Sequence, residues 1–270
     1  MTAGTHPVAW ILGGGSGIGA GSARALAEAG YTVVVSGRRE VELQEVVDAH
    51  DGRPGRIVAL PVDVSASAGP ASPAAALAHI EAEHGEVQVL VYSAGTNVTS
   101  RYWSDTDPED FARVLDVNLT GAVRAVHAVL PGMRRAQNGL LILVSSWAAW
   151  RFAPAAGAAY SASKTALGVL AETLNVQERQ HGIRATHLCP GEVRTDILKT
   201  RPIVPTEAEQ QLMLTADDLG ETVRYLAALP ARICVNELVI TPTSNTSYSA
   251  ANAAARAPAA DTPPSRKRIP

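Results

Sequence analysis

The most constraining stretch of this chain is residues 8–19, where an apolar run meets a glycine cluster. Val8-Ala9-Trp10-Ile11-Leu12 is short and uninterrupted, which suits a strand buried on both faces. It leads directly into Gly13-Gly14-Gly15-Ser16-Gly17-Ile18-Gly19. An alanine-rich helix fits residues 16–29, closed by Gly30, and a second strand fits residues 32–36. Glycine here lets the backbone turn tightly and approach a diphosphate. The unpaired N–H groups at the helix start then hold the negative charge. The glycine run alone could be only a loop. Its place in a strand–turn–helix–strand unit points to dinucleotide binding through Gly13, Gly15, Ser16, Gly17, Ile18 and Gly19.

The end of the second strand selects among dinucleotides. A carboxylate there would accept hydrogen bonds from a ribose 2′-hydroxyl and repel a 2′-phosphate. This chain has Ser36-Gly37-Arg38-Arg39 instead. Two guanidinium groups suit a phosphate, so the expected cofactor is NADP(H), ahead of NAD(H). A solvated pair of arginines opening the next helix is the plainer alternative, but positive charge is unfavourable at a helix N-terminus.

Alternation continues down the chain. Strands are expected at residues 57–62, 87–91, 140–144, 184–189 and 236–240. Between them, helices fit residues 74–84, 108–137 with a break near Pro131, a helix carrying Tyr160 and ended by Gly182, and 216–228. The composition does not change along this stretch. That predicts one doubly wound α/β domain over residues 8–243, a parallel sheet with helices on both faces. Residues 1–7 read as a short polar extension without the apolar core of a signal peptide. Residues 244–270 are rich in Ser, Asn, Ala and Pro and are expected to form a flexible tail, ending near the basic triplet Arg266-Lys267-Arg268.

Charge and cysteine content narrow the setting. The 26 acidic and 23 basic residues nearly cancel, so no nucleic-acid or membrane surface is expected. Cys189 and Cys234 have neither disulfide-framework nor metal-ligand spacing, which predicts no metal and a cytoplasmic setting. Cys189 reads as a small buried residue.

Tyr160-Ser161-Ala162-Ser163-Lys164 carries the chemistry. On a helix, residues four apart share a face, so an ammonium lies near a phenol. The positive charge favours the phenolate and lowers its pKa, making a proton donor and acceptor for an alcohol or carbonyl oxygen. By itself the pair is common and more often a mere helix surface.

Taken together, Gly13-x-x-x-Gly17-Ile18-Gly19, Ser93-Ala94-Gly95, Asn118, Ser146, Tyr160-x-x-x-Lys164 and Pro190-Gly191 resemble the short-chain dehydrogenase/reductase family in order and approximate spacing. The likeness spans roughly residues 8–243. It implies a seven-stranded Rossmann fold and NAD(P)-dependent interconversion of a carbonyl and an alcohol. It also implies that Tyr160 is the acid/base and that Lys164 holds the nicotinamide ribose and lowers the Tyr160 pKa. Ser146 would bond the substrate oxygen and Asn118 would position a relay water. Ser146 is preferred to Ser145 because its separation from Tyr160 is closer to the family's. Further cofactor contacts implied are Ser36, Arg38, Arg39, Asp63 (toward adenine), Val64, Ala94, Gly95, Asn118, Tyr160, Lys164, Pro190, Gly191, Val193 and Thr195. The chain departs from the family at Leu12, Tyr92 and Ser93, where a polar tie between two strand ends is expected to give way to packing.

The substrate, a small carbonyl or alcohol, is expected between residues 147 and 159 and under a lid at residues 195–215. Trp147, Trp150, Ile197 and Leu198 are the candidate pocket residues; Phe152 could join the wall, and Arg151 or Arg194 could meet an anion, although exposed arginines usually meet water. A homodimer or homotetramer is implied by the resemblance, through alanine-rich faces of the helices carrying Asn118 and Tyr160. Two other readings compete. One is a catalytically silent cofactor-binding regulatory or scaffold protein, against which Ser146, Tyr160 and Lys164 together argue. The other is an epimerase or dehydratase of nucleotide sugars, for which the chain has no separate sugar domain.

Overall fold

In the computed structural model, residues 6–50 and 54–245 are described, together with Tyr248. Most of the 1–7 extension and of the 244–270 tail, with its basic triplet, lies outside the described residues.

Seven parallel strands form one sheet in the order β3-β2-β1-β4-β5-β6-β7. They are β1 Val8–Leu12, β2 Thr32–Ser36, β3 Arg56–Ala59, β4 Val87–Tyr92, β5 Gly139–Val144, β6 Ile183–Pro190 and β7 Glu237–Ile240. Every residue of β1, β2 and β5 is buried, as expected of parallel strands covered on both faces. Helices α1 Gly17–Glu28, α2 Glu40–Asp48 and α3 Pro73–His84 follow the first three strands. Alternate residues of each strand divide the core. Trp10, Leu12, Leu90 and Tyr92 face one helical layer, and Ala9, Ile11, Val89 and Val91 face the other.

After β4 the long helical stretch breaks at a place that Pro131 does not mark. Helix α4 Pro108–Leu115 gives way to a π-helical turn, Asp116–Thr120, and α5 Gly121–Ala136 then runs on through Pro131. Pro131 is exposed and stands inside α5, which continues past it. Tyr92 accounts for the actual break. Its hydroxyl, fully buried, donates to the Val117 carbonyl inside the π turn. A β-carbon at Gly121 would stand 2.4 Å from that hydroxyl. The expected loss of a polar tie at Leu12 and Tyr92 is therefore only half the story. Backbone joins the strand ends, Ser93 N–H donating to Leu12 O at 2.9 Å, while Tyr92 ties β4 to the π turn.

The remaining helices are α6 Trp147–Trp150, α7 Ala158–Glu178, α8 Glu207–Gln210 and α9 Ala216–Ala228. Gly182, at φ 67°, closes the end of the α7 stretch after a 3-10 turn. Residues 195–215 hold a 3-10 turn, Asp196–Thr200, and α8, and return to the body through a bridge between Val193 and Leu214. Every strand thus delivers its C-terminal end to the same edge of the sheet, where loops meet between β1 and β4, the point at which strand order reverses.

Candidate active site

A cleft of about 870 Å³ opens along that edge. Its first wall is the turn after β1, with Gly13, Gly15, Ser16, Gly17 and Ile18. Gly13 has φ 80°, and a β-carbon on it would meet the Ala94 backbone at 2.5 Å. Only glycine allows this turn and this approach. Helix α1 begins without a side-chain cap at Ser16 and without an acidic residue in its first turn. Its leading N–H groups are the anion-binding end of the helix.

The second wall comes from the ends of β2, β3 and β4. Arg38 and Arg39 follow β2, both exposed, and line the cleft. Arg39 pairs with Glu42 at 3.1 Å and reaches Ser16 Oγ at 3.4 Å. Asp63 and Val64 follow β3, and Ala94 and Gly95 follow β4. Asp63 accepts hydrogen bonds from Ser65 N–H and Oγ at 2.9 and 2.6 Å. Those bonds, with Arg38 and Arg124 nearby, hold its carboxyl below the usual range.

The third wall carries Ser146, Tyr160 and Lys164, with Pro190, Gly191, Val193 and Thr195 after β6. Ser146 caps α6, accepting from Ala148 N–H at 3.2 Å, and shares a side-chain hydrogen bond with Tyr160. Burial raises the Tyr160 pKa; Ser146, Arg201 and Arg101 pull the other way. Lys164 is 3% exposed, and its Nζ donates to the Val144 carbonyl at 2.9 Å. Burial lowers its pKa to about 8. Its ammonium lies 5.8 Å from the Tyr160 ring centroid. Ser145, the neighbour of Ser146, spends its hydroxyl on the Lys164 carbonyl at 2.8 Å and so anchors α7 to β5.

Gly19, Ser36, Asn118 and Trp150, all singled out in the sequence, lie off the cleft surface. Gly19 is buried under the turn, where a β-carbon would stand 2.1 Å from Gly13 O. Ser36 is fully buried; its hydroxyl accepts from Trp10 Nε1 at 2.9 Å and its carbonyl from Gly13 and Gly14. Asn118 is fully buried in the π turn. Its Oδ1 accepts from Thr96 N–H at 2.7 Å, and its Nδ2 donates to Thr96 O and Ser163 Oγ, both at 3.0 Å. Trp150 sits behind Trp147, ring centroids 5.0 Å apart, with the Arg151 guanidinium 3.6 Å over its face.

The far end of the cleft has Trp147, Ile197 and Leu198 on its surface, as well as residues that carry no sequence motif. Phe152 is 89% exposed and does not reach it. Arg194 is exposed and gives its backbone N–H to Leu214 O, outside the cleft. Arg101 and Arg201 line it instead. Asn245 also faces it, and Tyr248 packs edge-on against Trp147 at 5.4 Å. Both belong to the stretch expected to be tail. A lone arginine or asparagine in a loop has no periodicity to betray it, which is why the sequence is silent on these residues.

Elsewhere, His187, Cys189 and Glu237 come together at the β6–β7 junction. His187 Nδ1 is 3.1 Å from Glu237 Oε2. Cys189 Sγ lies 3.4 and 3.5 Å from the two ring nitrogens. A sulfur nearly equidistant from both nitrogens sits off the lone-pair direction of either, as in packing rather than shared coordination. Burial pushes the Cys189 thiol up to about 12, far from a nucleophile's range.

A family model described as short chain dehydrogenase matches residues 7–203. The sulfoacetaldehyde reductase of Chromohalobacter salexigens is 30% identical over 240 residues, covering 87% of this chain and 93% of that protein. Among solved structures, the alcohol dehydrogenase of the archaeon Thermococcus sibiricus, complexed with 5-hydroxy-NADP, is 28% identical with a TM-score of 0.77, covering 88% of this chain and 97% of that one. The closed form of a serine dehydrogenase complexed with NADP+ is 26% identical, also at 0.77, covering 88% and 95%.

Proposed function

The chain belongs to the short-chain dehydrogenase family, and on that premise we propose that it is an NADP(H)-dependent oxidoreductase. It interconverts a ketone or aldehyde with an alcohol by hydride transfer, with Tyr160 as the acid/base. The observation carrying this reading is that Tyr160, Ser146 and Lys164 open onto the same cleft as the uncapped start of α1. The two similar structures that hold an NADP-type dinucleotide support the choice of cofactor. The relative that reduces an aldehyde supports the reaction class.

The residues present fit such a cofactor. Its diphosphate would meet the N–H groups of Ser16, Gly17 and Ile18, and its adenosine 2′-phosphate would meet Arg38 and Arg39. Arg39 is shared with Glu42, so Arg38 carries more of the preference over NAD(H). Lys164 would hold the nicotinamide ribose. Bound there, NADPH supplies the hydride.

The chain supplies the proton and the geometry. Ser146 donates to the substrate oxygen and aligns it with the Tyr160 hydroxyl. With its pKa raised by burial, Tyr160 is a loaded phenol at neutral pH and gives its proton to the oxygen as negative charge develops there. The reductive direction therefore suits neutral pH, and alcohol oxidation gains with rising pH as the phenolate forms. Asn118 has spent its side chain on Thr96 and Ser163, so a relay water would be held by its main-chain carbonyl within the π turn. Homo-oligomerisation belongs to the same reading, since Val123 on α5 and Val169 and Val176 on α7 leave apolar surface exposed.

NADPH and NADH oxidation against a panel of carbonyl compounds tests the proposal. Turnover is expected with NADPH ahead of NADH, and Tyr160→Phe should lose about 10²-fold or more in kcat with the NADPH Kd kept. Cofactor binding with no turnover of any carbonyl would favour the silent scaffold.

A further inference from the structure

We infer that the substrate carries an anionic group, a carboxylate or another small oxyanion, held against Arg101 and Arg201 beside Tyr160. This rests on the oxidoreductase reading above and goes beyond it by naming the substrate's charge.

Arg101 lies in the loop after β4, only 6% exposed, and lines the cleft. Its hydrogen bonds run to carbonyl oxygens on three loops that frame the substrate end. Nε donates to Val98 O at 2.8 Å, Nη1 to Ala155 O at 3.3 Å, and Nη2 to Thr200 O. No carboxylate is within ion-pair reach of it among the described residues. A guanidinium remains charged in nearly any protein setting, and burying that charge without an anion is unfavourable. The three carbonyl dipoles offset part of the cost. A guanidinium has five N–H donors, and these bonds engage three of them.

Arg201 lines the same end and meets Glu192 Oε1 at 3.1 Å. Asp196 also lines the cleft, but its carboxylate pairs with Lys199 at 2.6 Å. Counting these groups with Lys164, positive charge is in excess around the reacting oxygen. The field reaches the chemistry, because Arg201 and Arg101 both draw the Tyr160 pKa down against its burial. Ala153, Ala155, Ala156 and Trp147 line the same end and give a short carbon chain apolar surface, while Arg101 and Arg201 supply its positive charge. An anion at that position would complete the charge balance and fix which end of the molecule points at Tyr160.

The test is steady-state NADPH oxidation by the full chain with short oxo-carboxylates, the matching sulfonates and the methyl esters of the carboxylates. One or both oxyanion arms should exceed the ester in kcat/KM by roughly tenfold or more, with the gain in KM. Carboxylate and sulfonate arms together identify which oxyanion geometry the arginines take. Arg201→Met should collapse the ratio with the NADPH Kd unchanged, and should move the alkaline limb of ester turnover to higher pH. Arg101→Lys, which keeps the charge, should retain a preference over the ester. Equal kcat/KM for ester and both oxyanions in the parent protein would overturn the anion wall and leave the oxidoreductase reading standing. No NADPH oxidation with any of these carbonyls or a wider neutral panel would overturn both.

Discussion

Lys164 keeps a charge where burial opposes it. Its pKa falls from 10.5 to about 8, while in the unfolded chain it would titrate normally. Below about pH 8 both states carry the proton and the folded protein bears the full penalty, on the order of 3 kcal/mol at about 1.4 kcal/mol per pH unit. As pH climbs from 8 toward 10.5 the folded state releases its proton first and the penalty fades. Lys164→Met removes this cost but leaves the Val144 carbonyl without its donor, a loss of about 1–3 kcal/mol. The cofactor-free variant should therefore melt no lower than the parent near neutral pH, while NADPH affinity and turnover both fall. Melting curves at about pH 6.5 and about pH 9.5 should show the variant losing ground at the higher value. A variant that loses stability equally at both would remove the buried-charge account. The spacing of Tyr160 and Lys164 was legible in the sequence. The charges acting on Tyr160 were not, because Arg101 and Arg201 reach it through loops remote in sequence.

Elements were legible where hydrophobic period and turn residues agree, and obscure where one distant side chain decides. Strand positions come within a few residues of expectation, since a buried parallel strand is a bare apolar run. The π turn has no such signature; it depends on the Tyr92 hydroxyl, on Gly121 making room for it, and on an Arg124–Asp116 pair at 2.9 Å. The contact between α1 and α9 is also set by backbone approach. A β-carbon at Gly220 would lie 2.4 Å from Gly21 O, and one at Gly21 would lie 2.1 Å from Ala216 O. Two backbones meeting this closely have no side chain that can yield. Gly220→Val should lower stability by about 1–3 kcal/mol. Because α1 also presents its N-terminus to the cleft, the same variant should bind NADPH more weakly. Thermal melts and a fluorescence titration check the two effects. An unchanged melting temperature would mean that α9 can drift away from α1 without cost.

At the scale of the molecule, the sheet gathers residues from nearly the whole chain at one edge. The doubly wound architecture follows from the alternation of strands and helices, and the reversal between β1 and β4 places the cleft. Less legible was how far the cleft wall extends along the chain. Asn245 is 4% exposed at the cleft, and Tyr248 stands against Trp147, although their surroundings in sequence read as tail. Small polar residues give no sign of docking when their partners are supplied by a distant loop. A chain ended at Thr243 should bind NADPH as tightly as the parent but show a KM for its carbonyl substrate several-fold higher, roughly 1 kcal/mol of lost contact. Unchanged KM would assign those residues no part in the pocket.

The strand order also sets a timetable for synthesis. The first strand made, β1, ends in the middle of the sheet, with β2 on one side and β4 on the other. A nascent chain that has not yet reached residue 87 holds β1 with one edge unpaired, a template for wrong partners. The glycine turn is made early, Tyr160 and Lys164 much later, and among the described residues the last one lining the cleft is Asn245. On the proposed function, a ribosome paused between them would display the dinucleotide turn without the proposed acid/base, so the vulnerable interval falls before that chemistry is assembled.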